Sequence, residues 1–134
     1  MRKIFLSFRY TGESHEEMSE VIGNAAESLR YAGHDVFSSL EHEDYFIRSG
    51  FDRQRVMDYC LENMRGRDTF LPIVRSGKKS IGMNDESDEA LKMGMSYITA
   101  IKSGIWMPRF VENAGSVIEY DEYDELYDRL RRLE

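Results

Sequence analysis

The sequence predicts a single α/β domain, a five-stranded parallel sheet with helices on both faces. Three observations predict it. Short apolar runs rich in aromatic and β-branched residues ("KIFLSF", "HDVFSS", "DTFLPIV", "MSYITAI", "SVIEY") recur along the chain. Between several of them lie longer segments whose apolar residues return every three or four positions, as on a helix with one buried face. Strands and helices alternate through the whole length, which calls for crossover connections and therefore for parallel strands. A length of 134 residues with 41% apolar content suits one domain, residues 1–134, with a core of its own.

The elements follow in order. The run 3–8 reads as a buried strand, and "RYTGE" supplies the loop after it. Ser14 and Glu17 then form an S-x-x-E capping box before a helix whose Met18, Val21, Ile22, Ala25, Ala26 and Leu29 make one stripe, and Gly33 is placed to end it. Residues 34–39 read as the second strand. A further amphipathic helix carries Val56, Met57, Cys60, Leu61 and Met64 on its inner face, so Cys60 is expected in the core. The third strand, 68–74, contains Pro72, which predicts a bulge because a central strand tolerates a missing N–H badly. A short helix over 84–92 stops at Gly94, and strands 95–101 and 116–120 follow. The last helix, 121–133, has acids at its start and arginines at its end, matching the macrodipole, with Tyr123, Leu126, Tyr127, Leu130 and Leu133 inward. The layout is flavodoxin-like or Rossmann-like, a three-layer sandwich.

Charge and composition exclude several classes. A net charge of −7 argues against nucleic acid, whose binding needs a basic stripe. No run approaches the ~18 apolar residues of a membrane span, and the N-terminus does not read as a signal peptide, so a cytoplasmic chain without membrane contact is expected. One cysteine forbids an internal disulfide, and the histidines at 15, 34 and 42 show no ligand spacing, so neither metal nor cofactor is expected. The histidines read as solvated. Small molecules or proteins remain as partners.

In such sheets ligands bind beyond the carboxyl ends of the strands. The loops to inspect begin at Ser7, Ser38, Val74 and Ile101. After the first strand stand Ser7, Arg9 and Gly12; after the third, "KKSIGMNDESDEA" holds Ser80, Gly82 and Glu86. Bland alternatives stand beside each. Glu86 could be one of the acids that helix first turns favour, with Asn84 or Asp85 as N-cap. Ser80 and Gly82 could form a plain turn, and Arg9 could pair with Glu13 on the surface.

Taken together, "KIFLSFRYTGE", "AGHDVF" and "KKSIGMNDESDEA" resemble the nucleoside 2-deoxyribosyltransferase-like family, which includes deoxynucleoside 5'-monophosphate N-glycosidases. The family pattern S-x-G-x-x-x-E, followed after three residues by Ala, is matched by Ser80, Gly82, Glu86 and Ala90. The resemblance implies cleavage of an N-glycosidic bond of a 2'-deoxynucleoside or its monophosphate. Glu86 would be the nucleophile and Asp68 an acid near the sugar or leaving base. Ser80 would meet the 5' end, where a hydroxyl suits a phosphate better than a carboxylate would. Ser7, Arg9 and Gly12 match a loop that would hold phosphate through amides and a guanidinium. The resemblance further implies a homodimer or dimer of dimers, in which Trp106 stacks on a base or packs at the interface. The sequence departs from the family at Asp88, where glycine is usual, and at Asn84 and Asp85, where apolar residues are usual. Crowding of Asp85, Glu86, Asp88 and Glu89 predicts raised carboxyl pKa values. Toll/interleukin-1 receptor-like domains, some of which cleave NAD with a Glu, share the layout and the opening strand, and a catalytically silent nucleotide-binding or interaction module on the same fold is the third reading.

Overall fold

The computed structural model describes residues 1–134 and contains five strands, β1 (Lys3–Phe8), β2 (Asp35–Ser38), β3 (Thr69–Val74), β4 (Ser96–Lys102) and β5 (Ser116–Tyr120). All pair in parallel, in the order β2-β1-β3-β4-β5. The helices are α1 (His15–Tyr31), α2 (Glu43–Arg48), α3 (Arg53–Met64), α4 (Ile81–Lys92), α5 (Pro108–Glu112) and α6 (Tyr123–Arg131), with a 3₁₀ turn over Ser39–His42. None is long and apolar enough to cross a membrane.

Three layers follow from the pleat, because alternate strand residues face opposite sides. Ile4, Leu6 and Phe8 of β1 join Met18, Ile22 and Leu29 of α1 and Leu126 and Leu130 of α6 in one core cluster. Phe5, Phe37 and Phe70 face the other way, against Cys60 and Met64 of α3, Met83 and Ala90 of α4, and Phe110 of α5. The longest helix begins and ends for a local reason. Ser14 caps α1 by accepting from the Glu17 amide at 3.3 Å, and Gly33 takes φ +95° just beyond its end.

Several expectations need correction. α4 starts three residues earlier than read, because Ser80 rather than Asn84 or Asp85 is its N-cap, accepting from the Met83 amide at 3.2 Å. Pro72 causes no bulge. Ser7 pairs with Pro72 in an unbroken β1–β3 register, and on the other side Phe70 pairs with Tyr97 and Ile73 with Ala100, so the ladder lapses over Leu71 and Pro72 and resumes in register. The missing N–H removes a rung without adding a residue. His34 is buried, not solvated; its Nδ1 accepts from the Arg2 amide and its Nε2 donates to the Leu133 carbonyl, tying the two chain ends together. The 3₁₀ turn, α2 and α5 were not read from the sequence, being too short to show a helical period.

Candidate active site

The strand order 2-1-3-4-5 reverses direction between β1 and β3, and the crevice at their carboxyl ends is where this topology receives ligands. Ser7 lies near that end of β1 and, two residues after Phe5, shares its face. α4 covers the same face. Its sixth residue, Glu86, is on the buried side with Met83, Ser87 and Ala90, and the Ser7 hydroxyl donates to Glu86 Oε1 at 2.6 Å in a buried contact. No hydrogen bond falls on Oε2.

The first turn of α4 contains no acid. Glu86 is therefore not a first-turn acid favoured by the dipole; it is a carboxyl mid-helix, only 9% exposed and facing the sheet. Carboxylates are almost never buried without a partner. Burial pushes its pKa up from 4.5 to about 7, the Ser7 hydrogen bond pulls down against this, and Asp85 adds a smaller rise. Crowding is thus the lesser cause: Asp88 is exposed and pairs with Arg109 of α5. Cys60 of α3 packs in the same core cluster as Met83 and Ala90 of α4. Its thiol is pushed up to about 12, first by burial and then by the Glu86 charge, so it is a core residue and not a nucleophile.

The other residues singled out by the sequence divide. Ser7 is committed to Glu86 and positions the carboxyl, leaving its hydroxyl proton unavailable to a phosphate. Arg9 reaches across the crevice, donating from Nε to the Lys79 carbonyl at 3.3 Å just before α4. Its pairing with Glu13 is only partly exposed rather than a surface contact, with Nη1 3.1 Å from Oε1. Gly12 takes φ +79°, and a Cβ there would lie 3.1 Å from Arg9 Nη2, so this glycine shapes the loop around the guanidinium. Ser80 uses an oxygen lone pair to cap α4, and its O–H donates to no other group of the protein. Gly82 brings α4 close to α3, where an added Cβ would make ordinary contact with Met57 at 3.4 Å. These residues gather at one edge of the sheet.

Asp68 does not join them. It precedes β3 at the amino end of the sheet, where Oδ1 accepts from the Lys3 amide at 3.1 Å and from the Thr69 hydroxyl at 2.8 Å. Since Ile4 is level with Thr69 and Ser7 with Pro72, Asp68 stands about four strand residues, roughly 13 Å, from Ser7. Its role is to join β1 to β3, and the expectation of an acid near the sugar is not met.

Sequence reasoning missed Arg75, the first residue after β3, and Glu13 as its partner. Arg75 Nη2 lies 3.7 Å from Glu13 Oε2, so two guanidiniums flank one carboxylate. The position directly after a strand's carboxyl end was the available signal for Arg75. Missed as well was the buried contact of Ser87 with the Tyr97 hydroxyl at 2.6 Å, which anchors α4 to β4 one residue from Glu86. Trp106 is exposed after β4. No group of three or more His, Cys, Asp or Glu side chains converges on a point that could hold a metal.

No family model matches the chain, and no curated protein matches it in sequence. Among solved structures it is similar to the Clostridium botulinum CMP N-glycosidase BcmB, with a TM-score of 0.69 and 16% sequence identity over 96% of this chain and 97% of that one. At that identity the likeness shows a shared fold: a single-domain, three-layer α/β sandwich on a five-stranded parallel sheet, matched over almost the whole of both chains.

Proposed function

We propose that the protein cleaves the N-glycosidic bond of a 2'-deoxynucleoside or its 5'-monophosphate, with Glu86 as nucleophile. The observation that carries this is the buried Ser7–Glu86 pair at the carboxyl edge of the sheet. A helix-borne carboxyl desolvated to a pKa of about 7 has no structural need to be acidic. Ser7 holds Oε1, leaving Oε2 as the attacking oxygen. Attack on C1' forms a glycosyl ester as the C1'–N bond breaks and its electron pair leaves with the base. Water, or a second base, then attacks C1' and returns Glu86 as the carboxylate. The first acceptor makes a hydrolase and the second a deoxyribosyltransferase. Ser80, with a free O–H, meets the 5' end, and Arg9 lies at the same edge.

The kinship to the nucleoside 2-deoxyribosyltransferase-like group belongs to this reading; the fold shared with a CMP N-glycosidase supports it. So does the match of Ser80, Gly82 and Glu86 in spacing. A homodimer is part of the proposal, with the exposed Trp106 and Ile81 near the crevice rim available to a second copy.

Chromatography after incubation with each deoxynucleoside, each monophosphate, CMP and NAD, with and without free base, tests the reading. Base release from a nucleoside or monophosphate that is abolished in Glu86→Ala is the expected result. Full activity in that variant removes the mechanism, and cleavage of NAD alone replaces the substrate with that of the Toll/interleukin-1 receptor-like reading.

A further inference from the structure

The loop after β1 and the first residues after β3 enclose a small cavity lined by Arg9, Glu13, Arg75, Ser76 and Lys78 among others, with a volume of about 10 Å³, roughly enough for one water. Three cations meet one carboxylate there, in a chain whose net charge is −7. Arg75 is the unusual member. Its side chain is only 9% exposed, its Nη2 is 3.7 Å from Glu13, and its Nη1 is buried with no hydrogen-bond partner. Arg9 Nη1 is likewise buried; it stands 3.1 Å from Glu13 Oε1 at ion-pair distance, but no N–H of it is directed at an acceptor. Buried guanidinium donors without acceptors are costly, and guanidiniums are forked to receive a tetrahedral or planar oxyanion. Glu13 supplies charge to both arginines and satisfies neither.

We infer that Arg9 and Arg75 form a subsite for a dianionic phosphoryl group, and that Glu13 is a resident stand-in that the phosphoryl group displaces. This rests on the nucleotide reading above and adds a second arginine and an internal competitor to it. The cavity, with room for about one water, cannot take a phosphate while the Glu13 carboxylate stands between the two guanidiniums. When Glu13 swings toward solvent, its place between the two guanidiniums passes to a ligand with more oxygens and one more negative charge. Glu13 stands on the loop between Gly12 and the α1 cap Ser14. The competition makes the site selective: a neutral 5'-hydroxyl lacks the charge to displace Glu13, whereas a phosphate dianion has it.

Titration with inorganic phosphate alone, by calorimetry at low ionic strength and about pH 8, reads the subsite independently of turnover. Glu13→Gln should bind phosphate about tenfold tighter than the wild type, the effect of one charge-assisted contact. Arg75→Gln and Arg75→Lys should each bind about tenfold or more weakly, the lysine variant keeping the charge but not the fork. Glu16→Gln, an exposed acid nearby, controls for net charge and should stay within about twofold. Equal affinity in wild type and Glu13→Gln, absence of binding in both, or an equal gain in Glu16→Gln would overturn the inference. If no nucleotide is cleaved yet phosphate affinity responds as stated, the N-glycosidase reading fails and the subsite stands. If cleavage proceeds and phosphate is indifferent to Glu13 and Arg75, the reverse holds.

Discussion

Glu86→Gln should stabilise the protein progressively as the pH rises, and the size of the effect follows from the burial of the carboxyl. Burial raises its pKa from 4.5 to about 7, which at about 1.4 kcal/mol per tenfold change in proton affinity amounts to about 3 kcal/mol. Below about pH 4.5 the carboxyl is protonated in both folded and unfolded chains, and its burial in neutral form keeps its full stability. Between there and about pH 7 the unfolded chain gives up the proton while the folded one keeps it, so stability falls as pH rises. Above about pH 7 both are ionised, and the folded state carries the whole cost of a buried charge. Glutamine does not titrate, and its amide oxygen can still accept from the Ser7 hydroxyl. The stability difference between variant and wild type should therefore grow by about 3 kcal/mol from about pH 4 to about pH 8.5, a large share of a typical domain's stability. Urea unfolding at those two pH values, on either side of the pI of about 5.0, measures it. The other carboxylates are common to both proteins and cancel to first order. A difference that does not change between the two pH values would mean that Glu86 is solvated, and the argument from its burial would fail with it.

Further outcomes are open to measurement. Base release by the wild type should rise with pH through an inflection near 7 as Glu86 ionises, and a flat profile on a nucleoside substrate between about pH 5 and 8 would exclude it as nucleophile. Ser7→Ala removes the hydrogen bond that holds the Glu86 pKa down, so the inflection should move to higher pH; a shift to lower pH would contradict the donor role of Ser7. Gly12→Ala should cost about 1–2 kcal/mol in thermal or urea unfolding, since it sets a side chain at positive φ against Arg9, whereas Gly82→Ala, in the first turn of α4 against the flexible end of Met57, should be neutral or stabilising by about 0.5 kcal/mol. Asp68→Asn should leave base release within about twofold of wild type, and a hundredfold loss would return that carboxyl to the mechanism.

The sheet was legible because its signal is local. Each strand is a short apolar run, each long helix a stripe, and their alternation leaves parallel pairing as the consistent arrangement. Bounds moved by one or two residues at most ends, but by three at α4, where Asn84 and Asp85 stood as the caps and Ser80 read as a plain turn, and only the backbone decides that Ser80 accepts from Met83. That change of three residues alters the chemistry. Starting at residue 84, the helix would carry Glu86 in its first turn, facing a field that favours a carboxylate. Starting at Ile81, it carries Glu86 in its second turn on the buried face, where the charge is disfavoured and the Ser7 hydroxyl is its partner.

The misplacement of Asp68 and the omission of Arg75 share one physical cause. Both flank β3, one residue outside each end, and both are charged residues bordering an apolar run. Local sequence treats the two ends of a strand alike, since nothing in alternation or composition distinguishes amino from carboxyl edge. The topology does distinguish them. In a parallel sheet every carboxyl end opens on the same edge and every amino end on the opposite one, so the residue after β3 meets Glu13, the partner of Arg9, and the residue before it meets Lys3. Once parallel pairing is accepted, the rule that ligands sit beyond the carboxyl ends places Arg75 in the site and Asp68 out of it without coordinates. The Glu13 bridge needs more, because its two arginines come from segments more than sixty residues apart, and only the β1–β3 register sets them side by side.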